Sequence, residues 1–256
     1  MMYGHFAAVY DALMEQVPYE AWCGCIQKIL SSDGIKDGLL LDLGCGTGTA
    51  TLLLSRMGYD MIGVDASEEM LLEAKEKLTA GGLRDVLLLN QDMRDFELYG
   101  TVRAVISMCD TLNYCGSEEE LLEVFRLVNN YLDPGGLFIF DLNTPYKYRH
   151  VLGDNVFAAT EKDCAYIWEN GWFEEEMTNQ YDLTLFIRES GSENSYARYH
   201  EFHSQRAFLD ETVCALLERA GLRLEKKLDA YTDRAPGNQT ERVVYVAREQ
   251  GKTAGI

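Results

Sequence analysis

Glycine, threonine and aspartate are concentrated in one short stretch, at a spacing that suits the binding of a small ligand. The stretch is LLLDLGCGTGTAT, residues 39–51, in which Gly44, Gly46 and Gly48 follow five residues suited to a buried strand. Glycine lets a backbone turn sharply and approach a ligand with no side chain between them. The start of the following helix would present free N–H groups and a partial positive charge. The stretch therefore predicts a strand, a ligand-binding loop and a helix.

Acidic residues follow the next two predicted strands as well. Asp65 ends the run 61–65, and Asp92 comes shortly after the run 86–90. The carboxyl ends of parallel strands meet at one edge of a sheet, so both acids should face the same cleft. An aspartate at the end of the second strand can accept both hydroxyls of a ribose. Taken alone, a solvated strand-end aspartate is the simpler interpretation of Asp65, and the glycine loop reverses that preference.

Strands and helices alternate around these residues. Two helical segments come first, at 6–13 and 22–30. The predicted strands are 39–43, 61–65, 86–90, 102–108 and 137–141, and the helices between them are 49–57, 67–79 and 118–132. This alternation predicts a parallel sheet with helices on both faces.

The alternation of strands and helices ends after Asn143, and residues 156–208 show little helical periodicity. Aromatic and β-branched residues alternate in three runs, which predict three antiparallel strands with a turn at Gly191 and Asn194. The runs are 164–172, 178–189 and 195–208, and a helix at 210–220 and strands at 222–231 and 242–247 follow. We therefore expect a core of residues 1–155 and 209–256, carrying an antiparallel insertion at 156–208 that covers one side of the cleft.

The glycine loop and its acids resemble class I S-adenosylmethionine (SAM) dependent methyltransferases. The spacing is G-x-G-x-G with Asp42 two residues before it, whereas dinucleotide-binding loops read G-x-G-x-x-G. The opening segment, FAAVYDALM, is similar to YqeM-type bacterial methyltransferases and sugar-nucleotide N-methyltransferases. The resemblance implies a Rossmann-like α/β fold with a mostly parallel seven-stranded sheet, and SAM as the cofactor.

The resemblance also implies which residues hold the cofactor. Asp92 would accept from the adenine amine and Met93 would pack on the ring, although core filling explains Met93 equally well. The implied cofactor-binding residues are Tyr10, Asp42, Gly44, Cys45, Gly46, Gly48, Asp65, Ala66, Met70, Asp92, Met93 and Cys109.

The segment DTLNY, residues 110–114, resembles the acceptor side of small-molecule methyltransferases. Asp110 and Asn113 could orient an amine or hydroxyl, and Tyr114 could line the acceptor pocket, although turn capping and packing would explain them nearly as well. His203 could be a general base, with a structural hydrogen-bonding role as the simpler interpretation. His200 lies three residues earlier, on the opposite face of a strand, so we expect no shared metal.

The composition of the chain limits the binding partners and cell compartments that we expect for it. The net charge of −19 disfavours nucleic acid, because such binding rests on lysine and arginine contacts to phosphates. No apolar run approaches the ~20 residues of a membrane span, and the N-terminus does not look like a signal peptide. Seven scattered cysteines favour a reduced, cytoplasmic chain. A monomer and a homodimer both remain open.

The sequence thus predicts a SAM-dependent methyltransferase that acts on a small-molecule acceptor. A direct displacement from a sulfonium needs chiefly alignment, and no residue stands out as an obligatory base, which favours an amine acceptor. One alternative is a SAM-binding sensor or scaffold without turnover, because binding motifs do not report chemistry. An NAD-dependent oxidoreductase is the other, and the glycine spacing argues against it.

Overall fold

The computed structural model describes residues 6–189, 191 and 195–252. Six α-helices run through these residues: α1 Ala7–Leu13, α2 Tyr19–Ser32, α3 Thr49–Arg56, α4 Glu68–Ala80, α5 Glu118–Tyr131 and α6 Asp210–Arg219. The first five strands are β1 Leu39–Leu43, β2 Asp60–Asp65, β3 Leu87–Asn90, β4 Val102–Ser107 and β5 Leu132–Asn143. The later strands are β6 Val156–Thr160, β7 Cys164–Phe173, β8 Thr178–Arg188, β9 Tyr196–Arg206, β10 Leu222–Asp229 and β11 Arg242–Glu249.

Seven strands form the main sheet, in the order β10-β11-β5-β4-β1-β2-β3. Strands β1 to β5 run parallel to one another, and β11 pairs antiparallel with both β5 and β10. Leu40, Leu41 and Leu43 of β1 are fully buried, as expected for a central strand covered by helices on both faces. The predicted fold class, a mostly parallel Rossmann-like sheet, is confirmed.

Serine N-caps fix the first turns of α4 and α5, the helices that follow β2 and β4. Ser67 caps α4 by accepting a hydrogen bond from the backbone N–H of Met70 (3.2 Å), and Ser117 caps α5 in the same way through Glu120 (3.2 Å). Acidic residues fill the first turn of both helices, where the helix dipole favours negative charge. These caps fix the loops that leave β2 and β4.

The second sheet is antiparallel, in the order β6-β7-β8-β9. Four strands replace the three that the sequence predicts, because the alternation in Val156–Thr160 is short and this edge strand pairs on one side alone, with β7. The predicted turn falls partly outside the described residues, which include Gly191 and exclude Asn194. The assignment of 156–208 as a separate insertion stays a prediction.

Two further differences from prediction concern β5 and the segment after it. The β5 strand begins at Leu132 rather than at 137, because Leu132 pairs with Val102 of β4 even though Pro134 and two glycines follow. A π-helix at Lys147–Leu152, which the sequence did not indicate, leads from β5 towards β6. A 3-10 helix at Thr111–Tyr114 follows β4.

Helix α1 packs against the small sheet. Val9 packs with Leu183 and Leu185 on one face of the small sheet, which we call its inner face. The same face carries His203, which is fully buried, whereas His200 points to the exposed side. The predicted opposition of the two histidines is confirmed. None of the described helices combines the length and apolar character needed to cross a membrane.

Candidate active site

The glycine loop takes a conformation that requires glycine at its first position. Gly44, Gly46 and Gly48 all have positive φ angles, of 77°, 52° and 74°. A Cβ on Gly44 would lie 2.2 Å from the Cγ2 atom of Thr111, so no larger residue fits there. A Cβ on Gly46 would meet no protein atom within 4 Å, so the backbone faces open space at that point. The loop therefore has the shape of a cradle with room above Gly46.

A cleft lies over this loop, between α1, α2 and the carboxyl end of β4. Its lining residues are Tyr10, Tyr19, Asp42, Gly44, Cys45, Gly46, Thr47, Thr49, Ala50, Met108 and Cys109. The structure thus brings six predicted cofactor residues together: Tyr10, Asp42, Gly44, Cys45, Gly46 and Cys109. The other five lining residues were not predicted as site residues: Tyr19, Thr47, Thr49, Ala50 and Met108. Tyr19 lies at the start of α2, and no motif in the sequence marks it as a cleft residue.

Asp42 supplies a buried negative charge at the floor of the cleft. Its side chain accepts a hydrogen bond from Thr51 Oγ1 (2.6 Å), and the residue is 2% exposed. Desolvation is the main reason that its pKa is raised to about 6. A carboxylate held in this way favours a cationic ligand group, which would offset the cost of its burial.

Asp65 links the glycine loop to the start of α4. Its two oxygens accept from the backbone N–H groups of Gly46 (2.8 Å) and Ser67 (2.9 Å), while burial raises its pKa. Ala66 is exposed beside it, and Met70 is buried in α4. Asp65 therefore stands at the edge of the loop, where the proposed ribose contact would use its remaining lone pairs.

Asp92 and Met93 lie beyond the lining of the cleft. Asp92 Oδ1 accepts from the Nε of Arg94 (2.8 Å), and this pairing lowers the pKa of Asp92. Met93 packs against the larger apolar core, which favours the core-filling interpretation of its side chain. The adenine contact at these two residues stays a prediction.

Two consecutive residues after β4 hold a strained backbone. Cys109 and Asp110 have φ angles of 57° and 54°, in the left-handed region that side chains disfavour. Their N–H groups donate to the two oxygens of Asp141, at 3.0 Å and 2.7 Å. Asp141 is fully buried at the end of β5 and also accepts from Tyr231 Oη and Arg242 Nη1. Asp141 therefore fixes the turn that borders the cleft.

Asp110 belongs to the same buried ion-pair cluster. Its Oδ1 accepts from Arg242 Nη2 (2.6 Å) and its Oδ2 from Gln205 Nε2 (2.7 Å). Trp22 of α2 lies under the Arg242 guanidinium at 5.3 Å and stacks on Tyr231. Asp110 is thus tied to β9 and β11, an arrangement that the sequence did not predict.

The side chain of Asn113 forms hydrogen bonds with backbone groups of neighbouring strands. It is fully buried, its Nδ2 donates to the backbone oxygen of Arg206 (2.8 Å), and its Oδ1 accepts from the N–H of Asn143 (2.9 Å). These bonds join the 3-10 helix to β5 and β9. They favour the structural interpretation over a direct contact with the acceptor.

Tyr114 and His203 meet at the inner face of the small sheet. The Tyr114 hydroxyl lies 3.0 Å from His203 Nδ1 and 3.2 Å from the Tyr181 hydroxyl. The imidazole stacks on Tyr181 (4.6 Å between centroids), and Phe6 contacts both this ring and Tyr10 of the cleft. The predicted pair is therefore brought together next to the cofactor cleft. In the part of the chain that the structure describes, no group of three or more histidine, cysteine or acidic residues could hold a metal ion.

A second ion pair holds α1 over the glycine loop. Lys77 Nζ of α4 lies 2.6 Å from Asp11 Oδ2 and donates to Thr47 (2.9 Å) and Thr49 (2.6 Å). Thr47 donates in turn to Asp11 Oδ1 (2.6 Å). We call these four residues the α1 latch. Because α1 carries Tyr10, the latch sets the position of one wall of the cleft.

Comparison with known proteins agrees with this geometry. Residues 40–136 match the methyltransferase domain family. The YqeM protein of Bacillus subtilis (strain 168) is 34% identical over 250 residues, covering 97% of this chain and 98% of the relative. The crystal structure of an S-adenosylmethionine-dependent methyltransferase from Clostridium acetobutylicum superposes with a TM-score of 0.86 at 31% identity, covering 96% of this chain and 98% of that one.

A third similarity concerns a shorter part of the chain. The dTDP-3-amino-3,4,6-trideoxy-alpha-D-glucopyranose N,N-dimethyltransferase of Streptomyces venezuelae is 33% identical over 137 residues, covering 53% of this chain and 56% of the relative.

The glycine cradle and the buried Asp42 fit the cationic methionine end of SAM. The chain belongs to the S-adenosylmethionine-dependent methyltransferases of the YqeM type, and SAM is its cofactor.

Proposed function

We propose that the enzyme transfers the methyl group of SAM to an amine nitrogen of a small-molecule acceptor. The observation that carries this proposal is the contact of Tyr114, after β4, with His203 and Tyr181 of the small sheet. This contact brings the aromatic inner face of the small sheet next to the cleft, on the side to which the methyl group of SAM would point. A small acceptor bound there would be shielded from water.

The cofactor supplies a methyl group on a positively charged sulfur. An acceptor nitrogen can attack the methyl carbon directly, with the sulfur as the leaving group. The protein contributes the alignment of nitrogen, carbon and sulfur. In this proposal the glycine loop and Asp42 hold the methionine end, Asp65 holds the ribose, and Asp92 and Met93 adjoin the adenine. Cys109 and Tyr114 border the reacting atoms.

An amine is the acceptor that the similarities favour. The Streptomyces venezuelae relative is by its name an N,N-dimethyltransferase of an amino sugar nucleotide. The net charge of −19 favours a small molecule over nucleic acid. All seven cysteines are free thiols, which supports a reducing compartment such as the cytoplasm as the place of action.

The test is transfer of a tritiated methyl group from SAM to a panel of acceptors. The panel pairs amino-sugar nucleotides and small primary amines with their hydroxyl analogues, and adds tRNA as a nucleic-acid acceptor. We expect label on the amines and none on the hydroxyl analogues or the tRNA. Label on tRNA alone would overturn the proposal. Tight SAM binding without transfer to any acceptor, including those of a whole metabolite extract, would favour a sensor.

A further inference from the structure

A buried carboxylate lies beside His203 on the inner face of the small sheet. Glu201 and His203 are two residues apart on β9, so both point to this face, and they are 8% and 0% exposed. Glu201 Oε2 lies 3.5 Å from His203 Nε2. Within the described residues this oxygen has no hydrogen-bond donor, and Leu183 is its register partner on β8. Keeping a carboxylate in such apolar surroundings is costly unless a cationic or N–H group faces it.

The other side of the imidazole is fixed as well. His203 Nδ1 lies 3.0 Å from the Tyr114 hydroxyl, and the Tyr181 ring stacks on the imidazole at an interplanar angle of 12°. The ring is thus held between a carboxylate at Nε2 and a phenol at Nδ1. Since each ring nitrogen faces a different partner, the two tautomers of His203 are not equivalent.

We propose that Glu201 is a positioning residue that keeps the proton of neutral His203 on Nε2, so that Nδ1 can accept the proton of Tyr114. A carboxylate that orients an imidazole towards a hydroxyl is a general arrangement for moving a proton. Glu201, His203 and Tyr114 then form a path, which we call the proton path. The inference deepens the proposed function and rests on it for the identity of the proton donor.

Each bond, electron pair and proton in the transfer has a defined destination. The acceptor nitrogen forms a bond to the methyl carbon, and the carbon–sulfur bond breaks with its electron pair left on sulfur. The methylated nitrogen is then a cationic ammonium with an excess proton. This proton passes to the Tyr114 oxygen as the Tyr114 proton passes to His203 Nδ1. Tyr114 ends neutral, and His203 ends as an imidazolium that the Glu201 carboxylate stabilises.

The proton path defines the acceptor class more narrowly than amine alone. The nitrogen must carry at least one hydrogen, so primary and secondary amines can use the path. A tertiary amine would give a quaternary product with no proton to release. The site is therefore suited to successive mono- and dimethylation of one nitrogen, and not to a third transfer.

The tautomer can be measured without any acceptor. In protein labelled with ¹⁵N-histidine and saturated with S-adenosylhomocysteine, we expect His203 as the Nε2–H tautomer, its signal being assigned by its loss in His203→Asn. Glu201→Gln should shift this signal towards the Nδ1–H or mixed form. Asp182→Asn is the matched control, because Asp182 lies 2.8 Å from the exposed His200 on the opposite face of the sheet. An unchanged His203 signal in folded Glu201→Gln would overturn the proposal.

Kinetics separate this role from a merely structural one. With an amino-sugar nucleotide as acceptor, Glu201→Gln should lower kcat by roughly tenfold to a hundredfold with an unchanged Kd for SAM. The double variant with Tyr114→Phe should be no slower than Tyr114→Phe alone, because both changes break one path. Additive losses, or a matching loss of SAM affinity, would contradict the proton path. If the wild type methylates no amine, the proposed function fails, while the tautomer measurement still decides the role of Glu201.

Discussion

At the scale of single residues, Asp42 shows how a binding site can cost stability. Folding removes its carboxylate from water, and burial raises its pKa to about 6. Above that pH the ionised group opposes folding, because the folded state holds the proton more tightly than the unfolded chain does. A cationic ligand in the cleft would offset this cost. The side chain is therefore better explained by what it binds than by what it stabilises.

One substitution at Asp42 should therefore have opposite effects on the stability of the protein and on SAM binding. Asp42→Asn should raise the free energy of unfolding of the ligand-free protein at pH 8 by about 1–3 kcal/mol, because the buried charge is removed. The same change should weaken SAM binding. In the wild type, SAM affinity should fall about tenfold per pH unit below pH 6, as Asp42 becomes protonated, and the variant should lose this dependence. Denaturant unfolding measures the stability, and calorimetry measures SAM affinity, each at pH 5 and 8. An Asp42→Asn variant that keeps the wild-type pH profile of SAM binding would contradict the proposed role of Asp42.

A second prediction at this scale concerns Asp65. Asp65→Ala should weaken SAM binding by about 1.5–3 kcal/mol, since a ribose hydroxyl pair would lose its charged acceptor. Asp60→Ala is the matched control, because Asp60 is exposed at the opposite end of the same strand. Calorimetric titration with SAM compares the two variants. Equal affinity in both folded variants would remove Asp65 from the ribose site.

At the scale of elements, the parts that could be predicted from sequence are those with local causes. The apolar run of β1, the glycine loop and the start of α4 depend on neighbouring residues, and each was predicted. The contacts that hold the candidate acceptor-side residues were not predicted, because they join elements that are distant in the sequence. Arg242 and Asp110 are 132 positions apart, and the imidazole beside Glu201 meets Tyr114 across 89 positions of sequence. The local pattern around an acidic residue on an alternating strand does not indicate which imidazole or turn it contacts in the folded protein.

The α1 latch gives a prediction at the same scale. Lys77→Met removes the ion pair that holds α1 over the glycine loop, so bound S-adenosylhomocysteine should leave up to about fivefold faster, the size expected of a partly exposed ion pair. Lys75→Met, on the exposed side of the same helix, is the control. Stopped-flow release measures the rate at low and high salt. An unchanged rate in Lys77→Met would mean that α1 does not limit release.

At the scale of the whole molecule, the small sheet presents two different apolar faces. Trp168, Tyr181 and His203 lie on the inner face next to Tyr114. Ile167 and Phe202 lie on the opposite side and are 38% and 50% exposed. Such outward apolar groups are typical of a surface between protein copies. An acceptor roof and a dimer surface can thus coexist in one sheet, on opposite faces.

The two faces should respond separately to substitution. Trp168→Ala removes the ring that lies 4.6 Å from Tyr181, so methyl transfer to an amine acceptor should fall at least tenfold through a higher KM and lower kcat, with SAM affinity unchanged. Ile167→Glu with Phe202→Glu places two charges on the outer face, and should change nothing in the methyl transfer of each protomer. If that face joins two copies, sedimentation will show the double variant as a monomer where the wild type is a dimer. A Trp168→Ala enzyme with normal turnover would show that the inner face does not cover the acceptor. Strand register decides which face of the small sheet lies next to Tyr114, because a shift of one residue would exchange the two faces.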